Sequence, residues 1–178
     1  MVAFHLAFDL REFGAININY TSPLWFWIGK AAALLFIFIS GLAAGLSKSP
    51  LRRGGQVLLW GMTVSAATYL AMGELYVRFG ILHFLGVAMM LFPLLNSLAS
   101  PLLLGLSALA ALLGFWFKKI VLKTSLLIPL GLIPKEFGSI DYYPLFPYLS
   151  VTILGILVYR HCYASGNQRL FKDRKSVV

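Results

Sequence analysis

Charge is scarce in this sequence. Of its 178 residues, 15 are Lys or Arg and 6 are Asp or Glu, so 12% are charged. Soluble domains carry about 25%, and a surface so poor in charge excludes an ordinary water-soluble globule. Cysteine is almost missing: the lone Cys162 excludes an internal disulfide and a multi-cysteine metal centre. No phosphate-cradling glycine loop, HExxH or G-x-S-x-G appears, so the familiar signatures of soluble nucleotide, zinc-protease and hydrolase chemistry are absent. The opening MVAFHLAFDL has neither a basic n-region nor a small-residue cleavage site, which argues against a secretory signal peptide. There is no solenoid repeat and no low-complexity tract.

What the chain does have is hydrocarbon. Hydrophobic residues make up 60% of it and the mean hydropathy is +0.84. A membrane span needs about 20 apolar residues. Residues 23–47, 51–73, 76–97, 101–117 and 143–163 each read as one, with Arg78 near the start of the third. Residues 1–14 share the character, but at about 1.5 Å per residue they reach only about 21 Å into a core of about 30 Å. They read as the outer part of a first helix whose beginning is missing. The fold expected is all-α: a polytopic membrane helix bundle of about six transmembrane helices, the first truncated at its amino end. Residues 1–163 form the membrane domain and residues 164–178 a basic cytoplasmic tail. Residues 121–134 are apolar but hold Lys123, Pro129 and Pro134, and are predicted to be re-entrant or interfacial.

The net charge of +9 sits mostly at the ends of the apolar runs. That placement suits topology and lipid headgroups, and it takes nucleic acid off the partner list. The turn at residues 48–53 carries three basic residues, and Arg160 with the tail carries five. Six helices put both, with the amino terminus, on the cytoplasmic side of a cell (inner) membrane. Lys118, Lys119 and Lys123 oppose this. Trp25, Trp27, Trp116, Tyr142 and Tyr143 would then form an outer aromatic belt.

Ionisable groups inside apolar sequence are costly, so the few present are candidates for function. His5 and Asp9 lie one helical turn apart, where a carboxylate fixes the imidazole tautomer as a general base requires; the same pair would equally lock two helices together. His83 is too deep to reach the interface and is either a packing residue or part of a site. Arg78 and Lys30 either snorkel to the headgroups or hold an anion, and Lys30 is also within reach of being the partner of Asp9. Asp141 either caps the last helix or binds a sugar hydroxyl or amine. Gly41 and Gly45 form a GxxxG pattern suited to close helix packing.

The ordered pieces FHLAFDL (4–10), FIFISGLAAGLS (36–47), RFGILHFLGV (78–87) and DYYPLFPYL (141–149), followed by GILVYR, resemble the bacterial membrane domain related to heparan-α-glucosaminide N-acetyltransferase. The resemblance covers roughly residues 4–160. It implies a multi-helix membrane acyltransferase that takes an acetyl group from cytoplasmic acetyl-CoA and delivers it to an amino sugar or glycan across the membrane. It also implies roles: His5, steered by Asp9, takes the acceptor proton, with His83 as a further catalytic candidate. Arg78, Lys30 and Asp141 serve the substrates, and Lys48, Arg52 and Arg53 suit the CoA phosphates. No metal is expected. The partners are the bilayer and a sugar or glycan acceptor, with a homo-oligomer left open. Two features depart from the family. Its opening Asp-x-x-Arg-Gly segment would precede Met1, and residues 16–27 contain no counterpart of the animal enzyme's active-site histidine. The competing readings are a small proton-coupled transporter or permease subunit, and a haem carrier with His5 and His83 as axial ligands.

Overall fold

The computed structural model describes residues 23–122, 124–135 and 137–164. The candidates His5 and Asp9 and the basic tail lie outside the described residues. Among the described residues are five α-helices: α1 (Pro23–Leu46), α2 (Pro50–Met72), α3 (Ile81–Ser97), α4 (Ser100–Phe117) and α5 (Leu145–Tyr159), the last running on into a π-helical turn (Arg160–Ala164). Among the described residues three helices are both long and apolar enough to cross a membrane: α1, α4, and α5 extended to Tyr163. Helix α3 is apolar but has 17 residues. The architecture is all-α and membrane-like.

Prolines and glycines set the helix ends. Pro50 and Pro101 stand in the first turns of α2 and α4, where the missing N–H costs nothing. Gly73, at φ 60°, stops α2 in a left-handed conformation open to glycine. The third span begins at Ile81, five residues later than the apolar run suggests, because residues 75–80 are used otherwise. They pair with residues 139–143: Ile140 N–H donates to Leu75 O (3.2 Å), Tyr143 N–H to Phe79 O (2.9 Å), and Phe79 bridges Tyr142. The described residues of the stretch expected to be re-entrant or interfacial form no α-helix. Val121–Leu122 (β1) pairs in parallel with Ile133–Pro134 (β2), with a 3₁₀ turn at Ile128–Leu130.

The chain divides into two compact units, Met1–Ile37 and Phe38–Val178. In the first, the described residues are the early turns of α1, where Lys30 Nζ lies 5.9 Å from the Phe26 ring. In the second, α2 packs on α3, α4 packs on α5, and α3 meets α5. Lipid is as apolar as leucine, so close van der Waals fit must hold such helices together. The contacts show how. A Cβ on Gly54 would stand 2.8 Å from Gly86 O, and one on Gly86 would stand 2.8 Å from the Leu58 backbone nitrogen. Gly41 and Gly45, in the last turns of α1, abut Thr152 and Tyr159 of α5, and Gly155 abuts Phe38 O. The GxxxG pattern is therefore a helix contact. Next to it lies a core of Ala44, Phe92, Leu95, Leu103, Ile153 and Ile156.

Arg160 locks one end of this unit. Its guanidinium donates to Asn96 Oδ1 (3.0 Å), Leu98 O (2.6 Å), Leu95 O (3.4 Å) and Asn96 O. The three main-chain acceptors lie at the carbonyl end of α3, where helical partners run out and the negative end of the helix dipole sits, although Leu95 O also accepts from Leu98 N–H (3.2 Å).

Candidate functional site

The opposite end of the α2–α3 pair holds a polar cluster, half-buried around one buried histidine. Helix α2 presents Gly54, Gly61, Ser65 and Thr68 toward α3 and the chain before it, at helical spacing on one face. Gly61 makes room for a ring: a Cβ there would be 3.2 Å from His83 Nδ1. Against that glycine lies His83, which is 3% exposed.

Both imidazole nitrogens are engaged within the protein. Gly80 N–H donates to His83 Nδ1 at 3.3 Å. A nitrogen that accepts carries no proton, so Nε2 is the protonated one, and it faces Ser65 Oγ at 3.3 Å. Ser65 passes its own proton on to Val77 O. Each group in this chain of bonds has one role, and the roles are mutually consistent. His83 is the third residue of α3 and reaches back to the N–H before the helix, as the returning side chain of a capping box does. Gly80 has no side chain to complete the box.

Asp141 completes it from another segment. Its Oδ2 accepts from Ile81 N–H, the first of α3, at 2.8 Å. The sequence suggested that Asp141 caps the last helix; it caps α3 instead. The reason is the pairing of residues 75–80 with 139–143, which carries Asp141 away from α5 and onto the start of α3. Ser139 holds that join: its Oγ donates toward Tyr76 O (3.1 Å) and Asp141 O (2.9 Å) and accepts from Arg78 N–H (3.3 Å). Gly80 must lack a side chain, because a Cβ would fall on the Asp141 carboxylate. Burial pushes the Asp141 carboxyl above the usual carboxylate range, against the opposing effects of the Ile81 N–H bond and the nearby His83.

Asp141 and His83 line one cavity with Gly61, Val64, Val77, Gly80 and Leu82, of about 20 Å³. That is room for about one water molecule and not for a sugar ring. Among the described residues, no group of three or more His, Cys, Asp or Glu is placed to hold a metal ion.

The other predicted residues lie apart. Arg78 is in the connection before α3, not inside a span, with Nη2 3.2 Å from Glu74 Oε2. Arg52 and Arg53 are exposed in the first turn of α2, at the far end from His83. Lys30 belongs to the other compact unit.

Over residues 1–177 the chain matches the family described as heparan-alpha-glucosaminide N-acetyltransferase, catalytic. The chain belongs to this family. It is a membrane protein of an acetyltransferase family, and the match lends no support to the transporter reading. No curated protein and no solved structure matches it. In this family member, sequence reasoning picked out His83 and Asp141 but missed what joins them. Ser65, Gly61, Gly80 and Ser139 carry no charge, and Arg160 read only as topology. One signal was available: Gly61 and Ser65 form a small-xxx-small pair on α2, the spacing that marks a close helix contact.

Proposed function

We propose that this chain is an integral membrane acetyltransferase, taking an acetyl group from acetyl-CoA at one end of its helices and handing it to an amino sugar or glycan at the other. The observation that carries the reading is the polar cluster of buried His83 with half-buried Ser65 and Asp141, at the end of the apolar helices away from the basic turn. Polar groups placed there are expensive and mark functional sites. At the other end Lys48, Arg52 and Arg53 are exposed and suit the CoA phosphates. By the positive-inside rule that end, with both termini, faces the cytoplasm, and the acceptor sits in the periplasm.

In this reading His5, steered by Asp9, takes the proton from the acceptor amine. The nitrogen attacks the thioester carbonyl carbon, the N–C bond forms, and the C–S bond breaks. CoA leaves as the thiolate and is then protonated. Arg78 or Lys30 stabilises the oxyanion or holds an anionic group of a substrate. His83, whose nitrogens are both committed, is a positioning residue: it fixes the start of α3 and, through it, Asp141. Asp141 is offered to an acceptor hydroxyl or amine on the far side of its cap bond.

Radiolabelled acetyl-CoA supplied to the purified protein with a hexosamine tests this. Label on the sugar, or release of CoA, is the expected result. Neither of these, together with no CoA binding, would remove the proposal.

A further inference from the structure

Arg78, in the connection before α3, is held by two aromatic rings. Its guanidinium carbon is 5.1 Å from the Tyr76 ring centroid and 5.9 Å from that of Phe137. Both rings are themselves braced, Tyr76 edge-on to Tyr69 at 5.2 Å and Phe137 edge-on to Tyr142 at 4.7 Å. Aromatic contacts of this kind fix the plane of the guanidinium and leave its edges for recognition. The Arg78 main chain is fixed too, through Ser139.

The edge that matters is the one formed by Nε–H and Nη2–H, which matches the two oxygens of a carboxylate or phosphate. Here only half of it is used. Nη2 donates to Glu74 Oε2 at 3.2 Å and, more weakly, to Glu74 O at 3.4 Å, while Nε is buried with no hydrogen-bond partner among the described residues. The Glu74 side chain is 88% exposed, against 18% for Arg78. An ion pair with one partner so exposed is weakly held and easily displaced. The buried Nε–H, by contrast, is a donor whose desolvation nothing among the described residues offsets.

We infer that Arg78, clamped by Tyr76 and Phe137, is a binding site for an oxyanion, and that Glu74 is a displaceable internal stand-in for it. The ligand class is a carboxylate or phosphate, carried by a sugar acid or sugar phosphate or by a lipid headgroup. The ligand replaces the bond to the Glu74 carboxylate with a two-pronged one on Nε and Nη2. This develops the anion-holding role of Arg78 in the proposed function, yet binding is read without acetyl-CoA, so it fails or stands separately from acetyl transfer.

The test is calorimetric binding of inorganic phosphate and of glucuronate to the full chain in neutral detergent, with glucose as control. A second arm compares nanodiscs of phosphatidylcholine and phosphatidylglycerol, reading bound lipid by native mass spectrometry. Binding of phosphate or glucuronate but not glucose is expected if the oxyanion is soluble; selective retention of phosphatidylglycerol assigns it to lipid. Arg78→Gln should weaken the bound class by about tenfold or more, and Arg78→Lys should restore only part of it. Glu74→Gln is the sharper variant. It removes the competitor and should tighten binding several-fold, whereas loss of binding would mean that Glu74 itself holds the ligand. Weakened or unchanged affinity in Glu74→Gln, or no oxyanion preference in either arm, overturns the inference.

Discussion

Replacing His83 separates a positioning role from a chemical one. The ring makes two bonds of 3.3 Å, to Gly80 N–H and Ser65 Oγ. At that length each contributes at the low end of the usual range, about 0.5–1 kcal/mol. His83→Ala removes both, leaves the buried Gly80 N–H unsatisfied at about 1–3 kcal/mol, and enlarges the neighbouring cavity. A loss of about 3–4 kcal/mol is expected, read as a shift of the unfolding midpoint in mixed micelles followed by circular dichroism. His83→Gln can keep one of the two bonds and should lose about half as much. On the folded fraction, His83→Gln should then retain acetyl transfer within about tenfold of the parent with the same pH profile. Removing a general base costs about 10²–10⁴-fold, and that loss is expected at His5→Gln instead. The reasoning fails if His83→Gln folds like the parent but loses more than a hundredfold in rate with an altered pH profile. It fails equally if His83→Ala is as stable as the parent.

Three further outcomes follow from the same geometry. Arg160→Met should destabilise the protein by about 2–4 kcal/mol, since four bonds to the end of α3 are lost, and Arg160→Lys should recover less than half because an ammonium lacks the planar fork; denaturation midpoints check both. Thr152 Oγ1 is buried without a partner among the described residues, so Thr152→Val should be neutral or stabilise by about 1 kcal/mol in the same unfolding assay, and a clear loss would show that the hydroxyl is used. Asp141 has its carboxyl raised in the folded state, so the folded protein holds that proton more tightly than the unfolded chain. Stability from this group is therefore fully present below the ordinary value of 3.8 and falls as pH rises from there through the folded value. Asp141→Asn keeps an acceptor for Ile81 N–H and should flatten that slope, which melting curves taken across the acid range would reveal.

The helical part of the fold was legible because it depends on local properties. The apolar runs at 23–47 and 101–117 end within a residue or so of α1 and α4, since length, hydropathy and flanking Pro or Lys act along the chain. The run at 76–97 misled at its start for a physical reason. Residues 76–80 are apolar enough for a helix, but their backbone groups find partners on residues 139–143, more than sixty positions away. No window along the sequence contains that information.

The buried site divides in the same way. That His83 and Asp141 are special was readable from the cost of burying such groups in apolar surroundings. That they meet at the start of α3, one filling half of a capping box and the other supplying the missing acceptor, depended on the join at Ser139 and on the two glycines that let the side chains in. By itself, then, the sequence determined a membrane helix bundle, its family and the residues too costly to be accidental. Tertiary structure decided which of them touch, which nitrogen of His83 carries the proton, and which buried nitrogen of Arg78 finds no partner among the described residues, because hydrogen-bond partners are set by distance in space and not by distance along the chain.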